Sequence, residues 1–183
     1  MLSPSKHEGF VVPVLETPRL ILREHRLEDF PAHAALWADP DVTAQIGVPP
    51  RSEEESWMNF LNRPGTWAYM GYGFWAVEEK QSGRFIGAMG FIQARRDIAA
   101  PCVKAPEIGW GLAKAFHNRG LGREGTAAVS AWGDANLPSP HTWCIIDPAN
   151  IASRKLAEGL GYRQTGTPSY KGKTVTLFER TRP

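Results

Sequence analysis

Residues 120–125 read Gly-Leu-Gly-Arg-Glu-Gly, between a strand-like segment, Glu107–Ala113 (EIGWGLA), and a helix-like one that continues to Asn136. A fold that accepts this stretch must let the backbone turn sharply and approach whatever lies against it, because Gly120 and Gly122 carry no Cβ. The pattern is G-x-G-x-x-G, and Asp147 stands roughly where a dinucleotide fingerprint puts an acid for the ribose. That fingerprint also needs its first glycine directly after a strand, inside a run of parallel strands. Here Lys114–Arg119 (KAFHNR) intervenes. The motif also comes two-thirds of the way along the chain, after an antiparallel hairpin, and too little sequence follows to complete a doubly wound sheet. A different anion remains. Arg119 and Arg123 flank the glycines, and the following helix opens with free N–H groups and the positive end of its dipole.

The hairpin is YGFWAVEE and RFIGAMGFIQA, joined by KQSGR, whose Ser-Gly supplies the turn. Before it, RLILRE (Arg19–Glu24) alternates as a strand does. Leu27, Phe30, Ala34 and Leu36/Trp37 recur at helical spacing, and ADPD ends that helix. Ser52 with Glu55 three residues on is a capping box. It opens a helix with Trp57, Phe60 and Leu61 on its apolar face, and Pro64 is expected to stop it. DIAAPCVKAP reads as a loop. HTWCIID (His141–Asp147) and TVTLFER (Thr174–Arg180) read as strands. NIASRKLAEGLGY reads as a helix capped by Asn150 and closed by Gly161. No internal repeat or linker interrupts the chain, so a single α+β domain over residues 1–183 is expected, with its core at about 15–180 and a loose lead-in at 1–13.

Composition removes several function classes. The 183 residues carry a net charge of +2 with Lys and Arg scattered rather than clustered, which argues against nucleic-acid binding. The opening MLSPSKHEGF has no apolar h-region. No segment approaches the ~20 apolar residues of a membrane span. Cys102 and Cys144 are the only cysteines, which suggests a reducing, cytoplasmic setting. With five scattered histidines they offer no metal-ligand spacing. Cys144 reads as a buried apolar residue and His141 as a strand-end surface residue; His7, His25 and His33 are given no role.

Three segments taken together, LETPRLILRE, EIGWGLAKAFHNRGLGREG and DPANIASRKLAEGLGY, resemble the GNAT superfamily of acyl-CoA-dependent N-acetyltransferases over about residues 15–180. The likeness is greatest to the branch of ribosomal-protein N-terminal acetyltransferases. The family signature Q/R-x-x-G-x-G/A appears as His117-Asn118-Arg119-Gly120-Leu121-Gly122, with His117 departing from the usual first residue. The resemblance implies a GNAT-like fold: a mixed, mostly antiparallel sheet flanked by helices, with a V-shaped splay between the two central strands. It implies acetyl-CoA as co-substrate and no metal. The pyrophosphate would lie on the backbone of residues 118–123, Asn118, Arg119, Gly120, Leu121, Gly122 and Arg123. The pantetheine arm would pair with the strand through Trp110 and Leu112, and His141–Ile146 would diverge to admit the thioester. A backbone N–H near Trp110 would meet the oxyanion.

The chemistry implied is direct acetyl transfer to a primary amine, a protein N-terminus or a small molecule. Glu107 is the candidate proton acceptor. Some relatives carry their base one residue earlier, where this chain has Pro106, and one residue switches the strand face. Ser153, in Asn150-Ile151-Ala152-Ser153, is the candidate hydrogen-bond donor to the leaving thiolate. Asn150 is expected to cap the helix and to reach the pantetheine amide. Trp37, Trp57, Trp67, Tyr72 and Tyr170 are candidates for the acceptor pocket or for the core. A non-catalytic acyl-CoA-binding domain is the alternative reading. Exposed strand edges and the seven tryptophans permit a homodimer.

Overall fold

The computed structural model describes residues 11–182; the first ten residues of the expected lead-in, His7 among them, lie outside it. The rest of that lead-in is anchored. Val12 is buried and the Pro13 carbonyl accepts a hydrogen bond from Trp75 Nε1 at 2.7 Å.

Strands β1 (Leu15–Glu16) and β2 (Leu20–Arg23) lead into helices α1 (Phe30–Ala38), α2 (Pro40–Ile46) and α3 (Glu53–Met70). The hairpin β3 (Phe74–Glu79) and β4 (Arg84–Ile92) follows, then β5 (Glu107–Leu112), α4 (Leu121–Asn136), β6 (His141–Ile146) and α5 (Ile151–Gly159). The chain closes with β7 (Arg163–Gly166), a small hairpin of β8 (Ser169–Tyr170) and β9 (Lys173–Thr174), and β10 (Thr176–Thr181). Eight strands form one sheet in the order β1-β2-β3-β4-β5-β6-β10-β7. Its neighbours are antiparallel except β5 and β6, which run parallel.

That parallel pair is joined at one register position, Glu107 opposite Trp143, with Trp143 N–H donating to the Pro106 carbonyl at 3.2 Å. Beyond it the strands part, which is the expected splay. β5 keeps full pairing with β4 over its whole length. Successive residues of a strand point their backbone groups to opposite edges. Since Pro106 faces β6, Ile108 and Trp110 also direct their N–H and C=O groups into the gap.

Register sorts the side chains. Trp110 lies opposite Met89 and Ile108 opposite Phe91, on the face covered by α4 and α5. Glu107, Gly109 and Gly111 take the other face, under α1–α3: a Cβ on Gly109 would come 2.8 Å from Phe74 Cζ, and one on Gly111 would meet Ile46.

Two helical expectations are corrected. Pro64 does not end α3, which runs on to Met70 with the capping box intact at Ser52 and Glu55. An interior proline costs about 3 kcal/mol, but Trp67 beyond it packs edge-on against Trp75 and Trp132, at 4.7 and 5.6 Å between ring centres. Burying that indole requires the helix to continue. ADPD both ends α1 and starts α2: Asp39 accepts the Asp41 N–H, with Pro40 in the first turn. The final strand begins later than expected, at Thr176, after the separate bridge at Lys173–Thr174.

Candidate active site

A cleft of about 310 Å³ opens where β5 and β6 part. Its walls are α2 through Val42, Gln45 and Ile46, β5 from Trp110 to Leu112, the turn Phe116–Asn118, the start of α4 and the start of α5. The residues singled out in the sequence converge here: Trp110, Leu112, His117, Asn118, Gly120, Leu121, Gly122, Arg123, Asn150 and Ser153 all line it. Two of the expected residues do not.

The glycine turn is built from alternating backbone conformations. Asn118 (φ 57°) and Gly120 (φ 76°) are left-handed, on either side of Arg119. Asparagine and glycine tolerate that region best. α4 starts at Leu121, earlier than its apolar pattern suggests, and no side chain caps it. Its first N–H groups therefore point into the cleft unclaimed, backed by the dipole of a 16-residue helix. Arg123 is exposed at the rim. The third glycine of the motif has a different task. A Cβ on Gly125 would fall 2.5 Å from Met89 Sδ, so Gly125 lets α4 lie close on the sheet.

The turn is held from behind. Glu124, in the first turn of α4, accepts from Thr17 Oγ1 at 2.6 Å, Arg19 N at 2.8 Å and Arg19 Nε at 2.7 Å. These bonds keep its pKa below the ordinary glutamate value despite the opposing effect of burial. Arg19 Nη1 reaches on to the Arg119 carbonyl at 2.8 Å.

Arg119 is the first exception. Its guanidinium turns away from the cleft onto Glu79, Nη2 to Oε1 at 2.6 Å, and only its backbone belongs to the turn. Glu107 is the second. It sits at the apex of the splay on the α1–α3 face, outside the cleft, with both carboxylate oxygens on Arg96: Nε–Oε2 2.7 Å and Nη2–Oε1 2.8 Å. Burial pushes the Glu107 pKa up, and Arg96 offsets part of that. Arg96 also donates to Tyr170 Oη at 3.0 Å and lies over its ring. Arg96 is not legible in the sequence, because an irregular loop separates it from Glu107.

Other side chains are partly committed. His117 Nε2 lies 2.8 Å from the Leu112 carbonyl, which removes that carbonyl from the free edge of β5. Asn150 Oδ1 caps α5 on Ser153 N at 3.0 Å, and its Nδ2 donates to the Gln45 carbonyl at 2.7 Å. Its amide thus joins α5 to α2 while one Nδ2 hydrogen and one Oδ1 lone pair stay uncommitted at the cleft wall. Ser153 Oγ accepts from Trp110 Nε1 at 3.2 Å. That bond uses an acceptor lone pair and leaves the hydroxyl proton of this cleft-lining residue free to donate.

Asp147 serves the turn before α5, where its Oδ1 accepts the Ala149 N–H at 2.8 Å. Cys144 is buried, and burial raises its pKa well above the ordinary thiol value. Trp67 and Tyr72 are core residues, whereas Tyr170 stands beside Glu107 through Arg96. Among the described residues no cluster of His, Cys, Asp and Glu could hold a metal ion, and no helix is long and apolar enough to cross a membrane.

Comparison with known proteins agrees with this geometry. The family model for the acetyltransferase (GNAT) domain matches residues 19–163. Uncharacterized protein YkkB of Bacillus subtilis is 28% identical over 148 residues, covering 79% of this chain and 81% of its own. The crystal structure of an acetyltransferase from Agrobacterium tumefaciens superposes with a TM-score of 0.80 at 25% identity, over 94% of this chain and 96% of that one. RimL, a ribosomal alpha-N-protein acetyltransferase in complex with coenzyme A, shares the fold at a TM-score of 0.74 and 17% identity, over 93% and 98% of the two chains. The chain belongs to the GNAT family of acetyltransferases.

Proposed function

We propose that the protein transfers an acetyl group from acetyl-CoA directly to a primary amine. The observation that carries this is the uncapped start of α4 at a strand gap that already holds a hydroxyl donor. The cleft residues fit the carrier. The N–H groups of Leu121, Gly122 and Arg123, with the Arg123 side chain, suit a diphosphate. The open edge of β5 at Ile108 and Trp110 suits an amide-bearing arm that pairs as an added strand. When bound, acetyl-CoA supplies the activated acyl carbon; the known complex of RimL with coenzyme A supports the same use here.

The two faces of β5 divide the work. Trp110 and Ser153 lie on the α4–α5 face of β5, and Glu107 meets the acceptor on the α1–α3 face, which the cleft also reaches at Ile46 and Gly111. An alkylamine is protonated at neutral pH, with a pKa near ~10, so it must give up a proton before attack. Glu107, raised by burial and held in place by Arg96, takes that proton. The N–C bond then forms as the C–S bond breaks. The Ser153 O–H passes its proton to the departing thiolate, and the proton shed by the new amide nitrogen returns to Ser153 through solvent, so the serine ends the cycle neutral. The Trp110 N–H, directed into the gap, meets the charge that develops on the acyl oxygen. Holding both reactants in register across one strand supplies a large share of the acceleration.

The test is release of free thiol from acetyl-CoA in the presence of a panel of primary amines. Amine-dependent release supports the reading. Binding of coenzyme A without turnover of any amine would favour a domain that holds the carrier and does no chemistry.

A further inference from the structure

Five charged side chains are buried among the described residues: Arg23, Asp29, Arg63, Glu79 and Glu107. Four of them have an opposite charge in contact. Arg23 pairs with Asp29 and Glu78, Glu79 with Arg119, and Glu107 with Arg96. Arg63 has none. It is 8% exposed. Its Nη2 donates to the neutral Asn59 Oδ1 at 3.0 Å, its Nε has no partner, and its guanidinium lies 4.6 Å over the Phe74 ring. Leaving a cation unpaired at such depth costs several kcal/mol, and neither the amide nor the ring removes the charge. The lack of any acid is also felt at the group itself: burial and the nearby Arg51 pull the Arg63 pKa down to about 10.

The place is informative. Phe74 is the ring that abuts Gly109 on the acceptor face of β5. One ring therefore separates the guanidinium from the strand that carries Glu107. Asn59, which receives the Arg63 hydrogen bond, also lines an open groove of about 430 Å³ together with Arg51 and Asn62. A solute can thus come from solvent to Asn59, one hydrogen bond from the buried charge. Around it lie further polar atoms with no partner: His25 Nε2, both ring nitrogens of His33, and Arg51 Nη1. Burial and Arg63 hold both histidines neutral, with pKa values of about 3, so they offer N–H donors and no charge. Glu54 and Glu55 also line the groove, but Glu55 is bound into the helix cap on Ser52 N.

We propose that Arg63 seats an oxyanion carried by the acceptor, so that the substrate is a small primary amine bearing a carboxylate or a phosphonate. This rests on the acetyl-transfer reading and narrows it: the amine meets Glu107 while the anionic end supplies the counter-charge that the fold withholds from Arg63.

The experiment pairs amines that differ by the anion alone: 4-aminobutyrate with propylamine, and 3-aminopropylphosphonate with propylamine to separate phosphonate from carboxylate. Wild-type protein should favour the anionic member in kcat/KM. Truncating one partner of a buried charge pair costs at least about 2 kcal/mol, or about thirtyfold, so Arg63→Met should cut that preference by about thirtyfold or more, through KM, and Arg63→Lys should restore part of it. Because Arg63→Met could also weaken the fold, Asn59→Asp is the second variant. It gives Arg63 an internal carboxylate and should raise Tm while abolishing the preference. A Tm gain with the preference untouched would show that Arg63 is structural and overturn the proposal. So would a wild-type preference for the neutral amines.

A readout free of turnover is thermal protection by 3-aminopropylphosphonate and 4-aminobutyrate. An upshift in wild type that Arg63→Met loses supports the site, and no upshift with either compound overturns it. Failure of acetyl transfer itself is distinguishable, because it appears as no thiol release from any amine, with this protection still readable.

Discussion

Replacing Glu124 tests whether the glycine turn is held by the β1–β2 turn behind it. The carboxylate takes two hydrogen bonds on Oε1, from Thr17 Oγ1 and Arg19 N, and one on Oε2 from Arg19 Nε. Its side chain is 15% exposed, while that of Arg19 is 50% exposed. Hydrogen bonds to a charged group contribute about 1.5–3 kcal/mol each where partners are left buried, and less where water can replace them. Here the Arg19 donors can find water, so Glu124→Ala should lose about 2–3 kcal/mol in total. Glu124→Gln keeps an acceptor for Thr17 and Arg19 N and loses a half-exposed ion pair, about 0.2–1 kcal/mol. For a chain of this size each kcal/mol moves Tm by about 2–4 °C, so alanine should lower Tm by about 4–12 °C and glutamine by a few degrees. Differential scanning calorimetry reads both. The pH dependence follows from the depressed pKa. The contribution of the carboxylate is complete above the unfolded-state value and fades as pH falls through the lower folded-state value. The gap in Tm between wild type and Glu124→Gln should therefore shrink between pH 6 and pH 3. A Tm for Glu124→Ala within 2 °C of wild type, as an order-of-magnitude bound, would refute the reasoning, as would a gap that widens in acid.

Ser153→Ala removes the proposed donor at sulfur and should lower kcat about tenfold or more with coenzyme A affinity retained; an unchanged kcat takes Ser153 out of that role. Glu107→Gln should remove the acid limb of the pH–kcat/KM profile, a limb whose midpoint in wild type lies above the ordinary glutamate value of 4.5 because burial raises it; persistence of the limb in the variant places the base elsewhere. Gly109→Val puts carbon 2.8 Å from Phe74 on the α1–α3 face, where the acceptor is proposed to sit, so KM for the amine should rise while coenzyme A titrates as in wild type. Equal losses for both ligands would mean that the two faces of β5 are not separate sites.

Much of this was legible because it is local. A capping box, a Ser-Gly hairpin turn and a glycine turn before an apolar helix each depend on neighbours in sequence, and each stands where its residues put it. Pro64 misled because a penalty of about 3 kcal/mol is smaller than what the distant Trp67–Trp75–Trp132 cluster secures. ADPD was read as a stop alone, although Asp39 and Pro40 are equally a start signal. β7 escaped notice because RQTG is polar and largely exposed at the edge of the sheet. At the site, residues of the turn and of the α5 start were readable from pattern and resemblance. Arg96 on Glu107, Glu79 on Arg119 and the solitary burial of Arg63 were not, since each depends on elements brought together only by the sheet. A basic residue in mid-helix ordinarily faces water, and nothing near Arg63 in sequence marks it as different.

The central claim is that the start of α4 receives a diphosphate. Calorimetric titration with coenzyme A and with pantetheine, which lacks the diphosphate and the 3′-phosphoadenosine beyond it, measures what that end of the carrier contributes. Several charge-assisted bonds from backbone N–H groups and Arg123 predict that coenzyme A binds at least about a hundredfold tighter, with the difference shrinking as salt is raised. Equal affinity for the two ligands, or binding of NADH in preference to either, would contradict the account.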